Sequence, residues 1–82
     1  MILKLLGTEI NISSANTVYD SRLIRVINTD SSNTCVLVIN DTDANTSSNV
    51  TLGAFETVMI EKTSNTTVQG STALAVPIAY KN

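Results

Sequence analysis

The chain has 82 residues, of which 43% are hydrophobic and 15% charged, with a net charge of −2 and no histidine. This length accommodates one domain at most, so we expect residues 1–82 to form a single domain. The charge provides no basic surface for nucleic acid, and one cysteine without histidine excludes zinc fingers and disulfide-stapled miniproteins. Ser, Thr and Asn replace the missing charged residues, which make up about 25% of an average soluble domain.

Apolar and polar residues alternate along most of the chain, which is the period of a half-buried β-strand. Val, Ile and Thr are abundant, and no segment places apolar residues at helical spacing. In chain order, the pattern predicts strands over residues 2–6, 9–13, 17–28 (with an optional break near Asp20), 35–40, 50–52, 56–62 and 73–80, and a further short one at 67–68. The predicted fold class is all-β, a small antiparallel β-sandwich or barrel of about seven to eight strands.

Asn, Asp, Ser and Thr dominate the segments between these strands, and their side chains favour turns by bonding their own backbone. We therefore interpret as loops residues 28–34, 40–49, 63–67 and 69–72. Asp30, Asp41 and Asp43 lie in two of these loops, but the central glycine and closing glutamate of a calcium loop are missing. We interpret the three as solvated turn residues and expect no metal and no cofactor.

The strand around Leu37 departs from the alternation because both of its faces are apolar. Cys35, Leu37 and Ile39 share one face, and Val36 and Val38 share the other. Three interpretations remain open. The strand is central and covered on both faces, or has an outer face that contacts a long loop, or Val36 and Val38 form a subunit interface.

Phe55 lies at a predicted loop tip between Gly53 and Glu56. An aromatic side chain at such a position either plugs the core or anchors an interface, and we favour the core.

No nucleophile and base can be paired, since histidine is absent and Cys35 lies within an apolar strand, where a structural thiol is expected. Three glutamates, Glu9, Glu56 and Glu61, could in principle pair as acid and base. Glu9 and Glu61, however, lie on the polar sides of alternating strands, where solvated carboxylates are expected. We predict no catalytic residue and no enzymatic activity.

A core of this size stabilises a chain by only a few kcal/mol, and a lone cysteine closes no intrachain disulfide. We therefore expect a homo-oligomer, or docking on a larger surface. The first ten residues superficially suggest a signal peptide, but Lys4 and Glu9 interrupt the apolar run. We expect synthesis in the cytoplasm and neither a membrane nor nucleic acid as partner.

Residues 51–82, TLGAFETVMIEKTSNTTVQGSTALAVPIAYKN, contain a succession of short elements. These are a glycine after a polar stretch, a strand ending in lysine, a Thr-rich turn and a closing alternating strand, at Leu52–Gly53, Glu56–Lys62, Thr66–Val68 and Ile78–Lys81. The succession resembles small virion proteins of tailed phages, particularly phages of marine cyanobacteria. Residues 16–30, NTVYDSRLIRVINTD, resemble the same family in a strand ending Arg-Val-Ile-Asn-Thr.

The resemblance implies a structural virion protein, made in the host cytoplasm and located on the capsid surface. As a capsid decoration (cement) protein it would bind the major capsid protein and copies of itself, with Val36, Val38 and Phe55 as candidate interface residues. The alternative is a component of the tail or its fibres, or a carbohydrate-binding adhesin module. Sugar sites usually contain an aromatic platform, and this chain has two Tyr, one Phe and no Trp.

Overall fold

The computed structural model describes residues 2–81, with side chains from residue 3 to residue 79. The strands are β1 (Ile2–Leu5), β2 (Ile10–Asn11), β3 (Leu23–Asn28), β4 (Cys35–Asp41), β5 (Thr46–Leu52), β6 (Thr57–Glu61), β7 (Thr67–Gln69) and β8 (Ala73–Lys81). All strand pairs are antiparallel, and no residue in 2–81 is helical. The predicted all-β class is confirmed. Met1 and Asn82, the ends of the predicted single domain, lie outside the described residues.

The strands form two sheets. The larger sheet has the order β1-β8-β3-β6, and β2 also pairs with β8. The smaller sheet has the order β5-β4-β7. Since β8 pairs with β3 and with both β1 and β2, it is an interior strand of the larger sheet, and β4 is the central strand of the smaller one.

The core combines buried side chains of both sheets and of two loops. Its members, all 0–1% exposed, are Ile12, Val18, Ile24, Val26, Cys35, Leu37, Leu52, Val68, Ala73 and Ala75. Cys35 is a buried free thiol, which confirms the predicted structural role. Gly70 lets β4 approach the end of β7 closely, because a Cβ there would lie 3.1 Å from the Cys35 Sγ and 3.0 Å from the Ala73 Cβ.

Pro77 lies inside β8, where a residue without an N–H is unusual. β1 pairs with residues 78–81 of β8 and β2 with residues 74–75, so Pro77 falls in the gap between them. Its carbonyl accepts a hydrogen bond from Leu6 N at 2.9 Å as the chain leaves β1. Gly7 then passes so close that a Cβ there would lie 3.1 Å from the Pro77 Cγ. The gap therefore removes the need for the ladder bond that proline cannot donate.

The predicted break near Asp20 is confirmed, but the strand predicted before it is wrong, because residues 18–20 form a turn before β3. Val18, Tyr19 and Asp20 have φ values of 56°, 60° and 54°, which are left-handed and incompatible with a strand. Asn16 Oδ1 accepts from Val18 N at 2.7 Å, and Thr17 Oγ1 donates to Asp20 Oδ1 at 2.8 Å. These bonds and the complete burial of Val18 offset a strain of about 1–2 kcal/mol per left-handed residue.

β5 is longer than predicted, because residues 46–49 belong to it and not to the loop at 40–49. It pairs with β4 along its whole length, from Thr46 opposite Asp41 to Leu52 opposite Cys35. Its early residues are polar on both faces, so no alternation marks them as a strand.

β2 is shorter than the predicted strand at residues 9–13, since Asn11 Oδ1 accepts from Ser13 N at 2.7 Å and closes a turn. The other predicted strands correspond to β1, β4, β6, β7 and β8, with ends that differ by one residue.

Candidate interaction surface

The outer face of β4 carries two exposed apolar side chains. Val36 is 50% exposed and Val38 37%, whereas Cys35 and Leu37 on the opposite face are buried. The interpretation that both faces of this strand are covered is therefore wrong for the described chain, because β4 is central in its sheet and open on one side. No described residue covers the two valines completely, which leaves them available for contact with another molecule.

Polar, uncharged residues surround the two valines. Val36 lies opposite Thr51 on β5, and Val38 lies opposite Asn49 on β5 and Gln69 on β7. Residues directly opposite one another share a face of the sheet, so these five side chains form one surface, which we call the valine face.

A shallow depression of about 490 Å³ lies beside the valine face. Its lining residues, none of them charged, are Ser13, Thr34, Val36, Val38, Gln69, Gly70 and Ser71. Gln69 Nε2 donates to the Ser13 carbonyl at 3.0 Å, which fixes one wall of the depression. The surface is therefore apolar at its centre and neutral around it, a character that suits a protein surface better than an ion.

Phe55 is 58% exposed, so the favoured prediction that it plugs the core is wrong. It lies in the turn from β5 to β6, where Glu56 N donates to Gly53 O at 3.0 Å and Gly53 N donates to Glu56 Oε1 at 2.7 Å. At the third position of this turn Phe55 has a φ of 58°, a conformation that type II turns normally give to Gly or Asn. The turn directly follows Leu52, which lies opposite Cys35. It is therefore at the end of the smaller sheet where β4 begins and β5 ends.

The larger cleft, of about 860 Å³, is separate from the valine face and contains charges of both signs. Asp41, Asp43 and Glu61 line it together with Arg22 and Lys62. No sequence pattern indicates that one of these charges is enclosed, because Lys62 follows a regular alternating strand.

Lys62 is only 8% exposed, and its Nζ donates to the Thr63 carbonyl at 3.1 Å. Burial lowers the pKa of Lys62 below its ordinary 10.5, an effect that the negative charge of Asp20 partly opposes. Neither histidine nor Cys35 lines the cleft.

The carboxylates of Asp30 and Asp41 accept hydrogen bonds from backbone N–H groups of neighbouring turns. Asp30 Oδ1 accepts from Ser32 N and Asn33 N, both at 2.9 Å, and these backbone donors lower the pKa of Asp30. Asp41 Oδ1 accepts from Asp43 N at 3.0 Å and from Ala44 N at 3.1 Å. The predicted turn role is confirmed for Asp30, whereas Asp41 is the half-buried last residue of β4 and bonds the turn that follows through its side chain. Among the described residues, no three His, Cys, Asp or Glu side chains are grouped to hold a metal ion.

The three glutamates lie in different parts of the fold. Glu9 Oε2 is 3.9 Å from Arg25 Nη1, Glu56 bonds the turn around Phe55, and Glu61 lines the larger cleft. Their separate placements provide no pair of carboxyl groups around a common substrate position.

Comparisons of this chain with protein-family models, with curated proteins and with solved structures give no match. Across residues 2–81, no helix has the length and apolar character needed to cross a bilayer. The fold and its surfaces define the molecule as a small all-β protein of two sheets, with an open apolar face on the smaller one.

Proposed function

We propose that this protein is a capsid decoration protein of a tailed phage, which binds the outer capsid surface and bridges neighbouring subunits of the major capsid protein. In this proposal it is located on the virion, associates with copies of itself and performs no catalysis. The resemblance of residues 51–82 to small virion proteins suggests this role. The exposed side chains on β4 and in the β5–β6 turn supply the physical support for it.

Phe55 is the observation that carries the proposal. An exposed aromatic side chain in a left-handed conformation destabilises the isolated protein by about 1–2 kcal/mol relative to a residue suited to that turn. No burial in the core compensates for this strain, because the side chain is 58% exposed. A strained, exposed aromatic is explained if its contact lies on another molecule, since buried aromatic anchors dominate the energetics of many interfaces.

The valine face provides the second contact. Complete burial of an exposed Val or Phe side chain stabilises by about 1.5–3 kcal/mol, and Val36, Val38 and Phe55 are already half buried. Their further burial is therefore worth about 3 kcal/mol in all, or roughly a hundredfold in affinity. Such a contact is weak alone and becomes useful when one copy touches several capsid subunits, because linked contacts raise the overall affinity.

Low surface charge suits this arrangement. Only 15% of the residues are charged. The residues that line the depression around the two valines are all uncharged. Copies packed closely on a capsid would repel one another little, while Ser, Thr and Asn keep the exposed surface hydrated.

Reconstitution tests the proposal. Capsids assembled without this protein, from the major capsid protein encoded by the same phage, should bind the purified chain and retain more genome on heating. The double variant Val36→Thr/Val38→Thr should bind at least tenfold more weakly. Leu5→Thr, an exposed apolar position on β1 of the other sheet, is the matched control and should bind normally.

Absence of binding to such capsids would contradict the proposal. Binding to isolated tails instead of capsids would assign the protein to the tail or its fibres, and binding to glycans would assign an adhesin module.

A further inference from the structure

The two sheets leave three long strand edges unpaired within the described chain, on β1, β5 and β6. An unpaired edge presents backbone N–H and C=O groups that can pair with another strand, and natural edges are usually protected by charge or proline. β1 contains Lys4, and β6 ends at Glu61 with Lys62 directly after it. β5, with the sequence TSSNVTL, contains neither a charged residue nor a proline.

The outer edge of β5 has no partner among the described residues. Within residues 2–81, the backbone of residues 46–51 takes part in no hydrogen bond beyond the ladder with β4. Alternate residues of an antiparallel edge strand direct N–H and C=O away from their neighbour. A seven-residue strand therefore offers three or four such residues to an incoming strand.

Val50 shows that the smaller sheet ends early. It lies opposite Leu37, on the side of β5 that faces the core, yet it is 39% exposed while Leu37 is fully buried. A further strand beside β5 would place side chains next to Val50 and cover it.

We propose that β5 pairs antiparallel with β5 of a second copy of this chain, around a two-fold axis at Asn49. Ser47 then lies opposite Thr51, Ser48 opposite Val50, and Asn49 opposite its own equivalent. The two three-stranded sheets become one sheet of six strands. This inference rests on the association of copies in the proposed function. It names the strand edge through which the copies pair.

The strand is suited to pairing with its own copy. The axis brings Asn49 next to its own equivalent, so a charge at that position would face a like charge, and β5 contains no charged residue. Asn49 and Thr51 also belong to the valine face, so pairing places the valine faces of both copies on one continuous surface. One strand pair buries less than the roughly 1,600 Å² of a standard interface, so the dimer should depend on concentration.

Sedimentation equilibrium tests the pairing on the purified chain, where we expect a reversible dimer. Asn49→Lys places two charges across the axis and should weaken dimerisation about fivefold or more, because like charges opposite one another in a sheet repel. Thr57→Lys, which places the same charge on the open edge of β6, is the matched control and should dimerise normally.

Disulfide trapping gives a second readout that does not require the lysine variant to fold well. Asn49→Cys should form a disulfide-linked dimer much faster than Asn65→Cys, an exposed turn position, while buried Cys35 contributes little in either variant. Equal trapping rates, a chain that stays monomeric, or a dimer unaffected by Asn49→Lys would overturn the inference.

The capsid-binding assay separates the two proposals. Capsid binding without a β5 dimer overturns this inference alone. A β5 dimer without capsid binding overturns the proposed function alone.

Discussion

The Asn28 side chain uses both its amide and its carbonyl inside the protein. Its Nδ2 donates to the carbonyls of Asn33 and Gly53, both at 3.0 Å, and its Oδ1 accepts from Asp30 N at 3.0 Å and from Thr72 Oγ1 at 2.6 Å. It is completely buried at the end of β3. One residue therefore joins three loops that are far apart in the sequence, including the turn that carries the exposed aromatic ring.

Asn28→Asp should lower the free energy of unfolding by about 3 kcal/mol or more. The substitution keeps the shape but replaces two donors with acceptors that face carbonyl oxygens, and it buries a charge. Urea unfolding at neutral pH measures the effect. Asn65→Asp, in an exposed turn, should stay within about 0.5 kcal/mol of the natural protein, and an equally small effect at Asn28 would contradict this account.

Lys62 should make stability rise with pH in the alkaline range. Burial lowers its pKa in the folded chain, whereas the unfolded chain keeps the ordinary 10.5, so between the two values the unfolded chain binds more protons. The free energy of unfolding should increase through that window and level off above 10.5.

The Lys62→Met variant isolates this contribution. Subtracting its pH profile, measured by urea unfolding, from that of the natural protein removes the titration of other groups. The difference should rise towards pH 10.5, and a flat difference would show that the folded chain does not disfavour the ammonium form.

Among the connecting elements, the β5–β6 turn contains one residue, Phe55, that should affect both the stability of the isolated protein and its binding to capsids. Phe55→Asn should stabilise the isolated protein by about 1 kcal/mol, because Asn adopts left-handed backbone conformations far more readily than Phe. The same variant should bind capsids more weakly. Thermal unfolding measures the first effect, with a shift of about 4–8 °C, and the capsid assay the second.

Ala54→Gly, next to Phe55 in the same turn, keeps the ring and serves as the control for capsid binding. A Phe55→Asn variant that is destabilised would show that the aromatic side chain supports the fold of its own chain.

The sequence-based prediction located some strands correctly and missed other segments, and the difference has a physical reason. Alternation correctly located strands such as β4, β6 and β8, where one face or both is apolar. It missed residues 46–49 of β5, because a strand at the edge of a sheet buries almost nothing there and its side chains carry no pattern. The turn at residues 18–20 was predicted only as an optional break near Asp20, because Val and Tyr are rare in the left-handed conformation.

The candidate surface was only partly predictable. Alternation showed that Val36 and Val38 share a face, but whether another part of the chain covers that face depends on contacts between distant segments. Phe55 was assigned to the core because its hydrophobicity outweighed the turn residues around it. The role of Asn28 had no sequence signal, since Asn is common in every loop of this chain.

At the scale of the whole molecule, the two faces of β4 should respond to mutation in opposite ways. Leu37→Ala leaves a cavity in the core and should lower the free energy of unfolding by about 2–5 kcal/mol. Val36→Ala, one residue away on the exposed face, should cost less than about 1 kcal/mol. Urea unfolding of both variants measures the difference, and similar losses would mean that the valine face is covered in the isolated protein.

The interior position of β8 determines when the larger sheet can form. β8 is the last strand in chain order, yet β1, β2 and β3 all pair with it, with Ile2 opposite Lys81. Until residues 73–81 leave the ribosome, β3 has only β6 beside it and the first two strands have no partner. Joining segments so distant in sequence slows folding, because loop closure precedes the contacts that compensate for it. The larger sheet therefore closes only after β8 has been synthesised, whereas the smaller sheet, which contains β4, β5 and β7, does not include β8.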